Sequence, residues 1–205
     1  MRVVYLLVCL VLLVGCTPSV PGPSAPPPSS AVGSTPSPSP SPSPSPSPSP
    51  SPTAVESFPP APGSESGEIA DIRAGWEAYE STRDVYYRDP DLKDDFYALS
   101  IVTTGGETSR AVGAIAKARE MNLKQRGHAI FRDVVIDDPV TDKNGVRSAV
   151  VNYCEDPSQL DIIDTKTGES IPRTLDDTLV SRVTMHLMPD GSWRAALYES
   201  TFKPC

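Results

Sequence analysis

The spacing of apolar residues changes along the C-terminal part of the chain, residues 64–205, and divides it into two halves. In the first half, apolar residues recur every three or four positions, which is the spacing of a helix that buries one face. Ile69, Ile72, Trp76 and Tyr79 follow this spacing. They predict an amphipathic helix from Glu68 to about Arg88.

Two further helices are predicted, and Asp89-Pro90 separates them from the first because proline lacks an amide donor. The second helix is shorter, with apolar positions Leu92, Phe96 and Leu99. Thr104-Gly105-Gly106-Glu107 has the form of a capping box, in which Thr104 and Glu107 cap each other's backbone amides. The third helix therefore begins there and ends at Gly127. Its inward residues are Ala111, Ala114, Ile115, Ala118 and Met121.

In the second half, short runs rich in β-branched and aromatic residues are separated by turn residues, which is typical of strands. The five predicted strands are Ile130–Ile136, Val146–Cys154, Leu160–Ile163, Leu179–Met188 and Trp193–Phe202. Asp142-Lys143-Asn144-Gly145 and Pro189-Asp190-Gly191-Ser192 predict hairpin turns after the first strand and before the last. Helices followed by a meander of antiparallel strands predict one α+β domain over residues 64–205.

The N-terminus carries a third pattern, a short apolar run behind a single positive charge. Val3–Val14 follows Arg2 and is shorter than the ~20 residues of a membrane-spanning helix, so residues 1–15 are predicted to be a signal peptide. Leu13-Val14-Gly15-Cys16 resembles the lipobox of bacterial lipoproteins. This resemblance implies that Cys16 carries lipid, with acyl chains such as palmitate, at the extracytoplasmic face of the cell membrane. The alternative is a secreted protein that is cleaved elsewhere, with Cys16 an ordinary thiol.

Residues 16–63 form the predicted tether, in which Ser and Pro alternate without interruption from Pro36 to Pro52. This composition supplies no core, so a disordered, polyproline II-like chain is expected, with a reach of up to roughly 140 Å at ~3.1 Å per residue. One interpretation is a stalk that lifts the domain off the membrane, and the composition also suits O-glycosylation. The alternatives are a neutral linker whose length drifts, or a segment that binds a proline-recognising partner.

The charge of the chain lies almost entirely in the folded part. The formal net charge is -8, while Glu56 is the one charged residue between Thr17 and Gly63. An acidic domain is repelled by phosphate backbones and by anionic lipid head groups. Nucleic acid is therefore not expected as a partner, and membrane contact is expected only through the lipid on Cys16.

The order of elements resembles the NTF2-like (SnoaL-like) superfamily, in which N-terminal helices pack into a curved antiparallel sheet and form a cone. More narrowly, three short motifs resemble a group of actinobacterial secreted proteins and lipoproteins, mostly without assigned function. These motifs are Cys154-Glu155-Asp156-Pro157-Ser158, Ile163-Asp164-Thr165-Lys166-Thr167-Gly168 and Gly191-Ser192-Trp193, with a terminal Cys205. The resemblance implies a fold and a disulfide, and no particular chemistry.

With Cys16 acylated and Cys9 removed with the signal peptide, Cys154 and Cys205 are the remaining cysteines. An oxidising compartment favours a disulfide between them. A redox-active role is disfavoured, because there is no Cys-x-x-Cys motif and Glu155 and Asp156 beside Cys154 would raise a thiol pKa. The bond is therefore predicted to be structural.

Candidate site residues are few. The two histidines, His128 and His186, lack metal-ligand spacing, so neither a metal site nor a cofactor is predicted. Ketosteroid isomerases of the resembled superfamily use an Asp base and a Tyr, and the first helix offers such residues without matching the enzyme motif, so no catalytic residue is assigned. These residues are Tyr79, Asp84, Tyr86 and Tyr87. The candidate cavity-lining residues are Tyr79, Tyr87, His128 and His186, although His186 is also compatible with a solvent-facing position.

Three functions remain open from the sequence. The first is a non-enzymatic, membrane-anchored domain that binds or scaffolds an envelope protein. The second is an enzyme that isomerises or hydrates a small hydrophobic molecule in the cone. The third is a passive carrier of such a molecule, or a homodimer formed through the sheet face. A deep cavity with convergent polar side chains would favour an enzyme or a binder, and a cavity plugged by apolar side chains would favour a scaffold.

Overall fold

The computed structural model describes residues 56–65, 67–89, 95–172 and 178–205. The predicted signal peptide, Cys16, most of the tether and Leu92 lie outside these ranges. Within them, no helix has the length and hydropathy that crossing a membrane requires. The described part is α+β, as predicted, with three α-helices before all of its strands.

The three helices are α1 (Gly67–Arg88), α2 (Tyr97–Val102) and α3 (Gly105–Glu120). The bounds of α1 agree with the predicted helix to one residue. The capping box at the start of α3 is wrong, because Thr104 makes no side-chain cap hydrogen bond and Glu107 is 1% exposed and turned into the protein.

The predicted end of α3 at Gly127 is also wrong. The helix stops at Glu120, Asn122 takes a positive φ of 59°, and Met121, predicted to face inward, is 54% exposed. Residues 123–127 form a strand instead. The segment Leu-Lys-Gln-Arg-Gly has neither apolar alternation nor β-branched residues, so nothing in its own sequence predicts a strand.

The strands are β1 (Leu123–Gly127), β2 (Ile130–Ile136), β3 (Val140–Thr141), β4 (Arg147–Asp156), β5 (Leu160–Asp164), β6 (Leu179–Leu187) and β7 (Trp193–Phe202). All pairs are antiparallel. One sheet has the order β2-β4-β6-β7, with β3 paired to β4, and β1 and β5 form a separate two-stranded sheet. The prediction of a single meander is therefore wrong. Strand β5 pairs with β1, which the sequence does not predict, and the two form a sheet of their own.

Both predicted turns are present. The Met188 amide donates to the Ser192 carbonyl at 2.8 Å and closes the hairpin between β6 and β7. The Asp142 amide donates to the Val146 carbonyl at 2.9 Å, although this turn joins β3 to β4 and not β2 to β4. Register shifts between Arg132 and Val135 and within β6 and β7 mark bulges, which bend the strands around the helices.

Helix α1 covers the inner face of the larger sheet. Its fully buried residues are Ile72, Trp76 and Tyr79, which pack in one core with Val151, Val183 and Met185. Phe58 joins this core, with its ring stacked on Phe131 at 4.9 Å and edge-on to Trp76 at 5.4 Å. The core thus includes a residue that precedes residue 64, where the sequence pattern places the start of the domain.

The structure contains the disulfide that the sequence predicts. Cys154 near the end of β4 is bonded to Cys205, and their Cα atoms are 5.9 Å apart. The bond holds the last residue of the chain against the larger sheet, beside the start of β6, where the Cys205 amide also donates to the Thr178 hydroxyl at 2.9 Å.

Candidate functional site

A cavity of about 590 Å³ opens between α1, α3, the two-stranded sheet and the start of β2. Its apolar lining residues include Phe58, Val85, Leu123, Phe131, Leu160 and Ile162. Its polar lining residues include Glu80, Arg83, Asp84, Arg88, His128 and Glu155. The volume lies within the roughly 300–1,000 Å³ range of small-molecule sites.

Helix α1 supplies most of the polar lining residues. Glu80, Asp84 and Arg88 are spaced four residues apart and therefore follow one row along the helix. Ile72 and Trp76 belong to the same row nearer the start of α1, where they are buried in the core. The row therefore begins in the core and continues into the lining of the cavity.

Glu80 is the most strongly perturbed carboxyl of the cavity wall. It is 4% exposed, its Oε1 accepts from the Tyr153 hydroxyl at 2.5 Å, and its Oε2 accepts from Arg83 Nη1 at 2.7 Å. Burial raises the pKa of Glu80 to about 7, with Arg83 opposing the shift and Glu155 adding to it. A fraction of Glu80 is consequently protonated at neutral pH.

Arg83 is held between aromatic rings. Its guanidinium carbon lies 4.6 Å from the centre of the Tyr198 ring and 5.2 Å from that of Tyr79, and 13% of its side chain is exposed. Burial opposes the charge of Arg83, but Glu80 together with Tyr79, Tyr198 and Glu155 outweighs this effect and raises the pKa of Arg83 above its ordinary value. Arg83 is therefore a fixed cation in the wall.

Asp84 forms a second polar group on the same wall. Gln125 Nε2 donates to Asp84 Oδ1 at 2.5 Å, and Arg88 Nη2 lies 2.6 Å from Asp84 Oδ2. Burial raises the pKa of Asp84, while the charges of Arg88 and His128 lower it in part. Glu80 and Asp84 are thus each paired with an arginine of the same helix.

A second buried network lies behind the cavity and does not line it. Glu107 accepts from the Tyr79 hydroxyl at 2.5 Å, from Arg110 at 2.6 and 2.7 Å, and from the Tyr198 amide at 3.1 Å. Burial raises the pKa of the Tyr79 phenol, so Tyr79 acts as a donor. This network ties α1, α3 and β7 together and has a structural role.

The four sequence candidates are distributed over three environments. Tyr87 and His128 line the cavity. Tyr79 is buried behind it in the Glu107 network. His186 lies on β6, where Ser181, Val183 and Met185 are the buried residues, so it belongs to the opposite face of the sheet. Tyr86 is buried in a smaller core, and its hydroxyl donates to the Asp95 carbonyl.

Sequence reasoning missed Glu80 and Arg83, the two central residues of the wall. Their spacing of three on a helix is typical of a surface ion pair, and the acceptor role of Glu80 depends on Tyr153, which is 73 residues away. For Glu107 a signal was present, since Glu107, Ala111 and Ile115 share one helical face. Within the described ranges, no three His, Cys, Asp or Glu side chains form a metal-ligand group.

No protein-family model and no curated protein matches the chain. Among solved structures, the intermembrane space region of the chloroplast protein ARC6 is 11% identical, with a TM-score of 0.42 over 69% of this chain and 98% of that one.

Two bacterial structures are similar to the same extent. A ketosteroid isomerase-like protein from Erwinia carotovora atroseptica is 14% identical, with a TM-score of 0.40 over 66% of this chain and 96% of that one. ActVI-ORFA from Streptomyces coelicolor is 8% identical, with a TM-score of 0.39 over 67% and 98%. The functional proposal therefore rests on the geometry of the cavity.

Proposed function

We propose that this protein is a lipid-anchored binding protein of the extracytoplasmic face, whose NTF2-like domain holds a small, predominantly apolar molecule in the cavity beside α1. The observation that carries the proposal is the cavity of about 590 Å³, whose lining combines apolar residues such as Phe58, Leu123 and Ile162 with the charged residues Glu80 and Arg83. An apolar body would bury against the apolar side chains, and a polar group would meet the charged ones. The open cavity favours ligand binding over a purely scaffolding role.

A fluorescent hydrocarbon tests this function. Diphenylhexatriene emits in apolar surroundings and would be titrated with the mature chain, residues 16–205, carrying Cys16→Ser in place of the lipid acceptor. Ala118 lines the cavity, whereas Ala116 on the same helix is exposed. Ala118→Trp is expected to weaken binding by about tenfold or more, and Ala116→Trp is expected to leave it unchanged. Equal affinity of both variants, or no binding to the parent chain, would contradict the proposal.

Proton-transfer catalysis is a second candidate, because a cavity-lining carboxyl with a pKa of about 7, Glu80, is suited to acid–base work near neutral pH. Incubation of methyl nonyl ketone in heavy water would report it, through deuterium uptake at the carbons beside the carbonyl. Catalysed uptake that Glu80→Gln abolishes and the surface change Glu120→Gln preserves would support an enzyme. Uptake at the uncatalysed rate would leave binding as the function.

The anchor has its own test. Replacing Cys16 by Ser removes the sulfur that would accept the lipid, so the protein is expected to leave the membrane fraction or to accumulate as an uncleaved precursor. Membrane retention of a processed Cys16→Ser chain would defeat the lipoprotein proposal. The measurement is fractionation with immunodetection and an intact-mass determination of the processed chain.

A further inference from the structure

Arg83 has hydrogen-bond donors that the protein itself does not use. A guanidinium carries five N–H groups, and Arg83 donates through Nη1 to Glu80 at 2.7 Å. Among the described residues, no other acceptor bonds to this guanidinium. Its Nε and Nη2 are not among the buried side-chain atoms that lack a partner, so they keep some accessible surface, and Arg83 is one of the residues that line the cavity.

The position of this guanidinium is fixed before any ligand arrives. The Tyr198 ring lies 4.6 Å away on one side, the Tyr79 ring lies 5.2 Å away, and Glu80 holds one end of the fork. A donor that is already immobilised loses little conformational entropy when it binds an acceptor. The remaining N–H groups of Arg83 are therefore a preorganised hydrogen-bonding site in a cavity that is otherwise largely apolar.

The charges around Arg83 determine which acceptor fits. Glu80 and Glu155 both line the cavity, and Glu155 Oε2 accepts from the Tyr198 hydroxyl at 3.3 Å. A ligand carboxylate or phosphate would approach Arg83 against Glu155 and against the deprotonated fraction of Glu80. A ligand amine would have the opposite difficulty, because Arg83 itself is a cation. An uncharged acceptor, such as an ester, amide or ketone oxygen, meets neither repulsion.

We infer that Arg83 is the specificity-determining residue of the cavity and that it selects apolar molecules carrying an uncharged carbonyl acceptor, which the free donors of Arg83 hold. The inference rests on the proposed binding function and adds the chemical class of the ligand. It also distinguishes Arg83 from Arg110, which has a similar carboxylate partner in Glu107 but does not line the cavity.

A ligand series matched in chain length tests the inference. Methyl decanoate, decanoate and decylamine share a ten-carbon chain and differ in the charge of the head group, and each would compete with diphenylhexatriene for the Cys16→Ser mature chain. Methyl decanoate is expected to bind about tenfold more tightly than either charged compound. Decanoate or decylamine binding as tightly as the ester would overturn the inference without using any variant.

The role of Arg83 is tested by Arg83→Lys, which keeps the positive charge and removes the planar guanidinium with its several N–H donors. Methyl decanoate affinity is expected to fall about tenfold, while the affinity for diphenylhexatriene, a hydrocarbon without an acceptor, stays within about twofold of the parent. The matched control Arg110→Lys should leave both affinities unchanged. Unchanged ester binding in a folded Arg83→Lys chain would refute the role of Arg83. A parent chain that does not bind diphenylhexatriene would instead refute the proposed function.

Discussion

Glu107 connects three separate elements through one carboxylate. It accepts from Tyr79 on α1, from Arg110 on its own helix and from the Tyr198 amide on β7. The last bond matters because β7 is the edge strand of its sheet, and an edge amide otherwise has no strand to pair with. The capping-box motif predicts a cap role for Glu107, whereas the helical face that Glu107 shares with Ala111 and Ile115 indicates its burial.

We therefore expect Glu107→Ala to be strongly destabilising. The change leaves the Tyr79 hydroxyl and the Tyr198 amide without an acceptor, and it leaves Arg110 without its carboxylate. A loss of about 3 kcal/mol in the free energy of unfolding is expected, since Arg110 is partly exposed and can turn to water. Urea titration measures it. The control is Glu120→Ala, which removes an exposed pair with Lys117 and should change stability by less than about 0.5 kcal/mol.

Glu80 predicts a pH dependence of stability with a definite sign. Its pKa is about 7 in the folded protein and 4.5 in its usual surroundings. Between these values the folded state keeps a proton that the unfolded chain has lost, so unfolding releases a proton. The free energy of unfolding therefore falls as pH rises through this window, by at most about 1.4 kcal/mol per pH unit from this group.

The variant Glu80→Gln isolates this contribution. Glutamine keeps an oxygen that can accept from Tyr153, and it does not titrate. The stability of the parent chain relative to this variant is expected to decline from about pH 4.5 to about 7 and to be level outside that window. Buried groups that titrate in both proteins, such as Asp84, cancel in the difference. Parallel curves for the two proteins would show that Glu80 keeps an ordinary pKa.

At the scale of the elements, helix α1 lies very close to strand β7 at Gly75, which has no side chain. A Cβ atom at Gly75 would lie 2.5 Å from the Trp193 carbonyl oxygen and 2.9 Å from its Cβ. Both distances are too short for real contacts, so any larger residue must push the helix away from the strand. Since Glu80 and Arg83 follow on the same helix, this contact also sets the position of the cavity wall.

Two glycine substitutions separate the close approach from helix propensity. Gly75→Ala is expected to lower the free energy of unfolding by roughly 1–3 kcal/mol through overpacking. Gly113→Ala on α3 meets no atom within 4 Å and is expected to raise it by up to about 1 kcal/mol through reduced backbone entropy. Thermal or urea unfolding reports both changes. A stabilising Gly75→Ala would mean that α1 sits further from β7 than described.

Elements were predicted well from the sequence where their own residues carry the apolar pattern, and poorly where the element depends on packing against distant residues. Helix α1 and strands β2 and β7 contain their own apolar pattern, so their bounds were predicted to within one residue. Strand β1 is polar and exists because β5 and α1 pack against it, which is tertiary information. The same reason explains the cavity wall, since burial raises the pKa of Glu80, and residues far from Glu80 in the sequence, such as Tyr153, provide that burial.

For the whole molecule, the disulfide constrains the unfolded chain more than it adds contacts. Cys154 and Cys205 are separated by 51 positions, and closing a loop of that length is worth about 4 kcal/mol in the chain-entropy model. The double variant Cys154→Ala/Cys205→Ala is expected to lose about this amount in urea titration. The oxidised parent should lose a similar amount when a reductant is added, whereas the variant should not respond. A reductant-insensitive parent would argue against the bond.

The segment at Ser57 and Phe58 determines where a pulling force on the N-terminal part of the chain would act on the folded domain. The Phe131 amide donates to the Ser57 carbonyl at 2.7 Å, and Phe58 stacks on Phe131 while lining the cavity. These two residues lie near the end of the stretch proposed to run to the membrane, residues 16–63. In the anchored protein, a force along the stalk would therefore load the cavity wall at Phe58 and strand β2 at Phe131 together. A pull that moves the domain away from its anchor would then also displace Phe58 and open the proposed binding site.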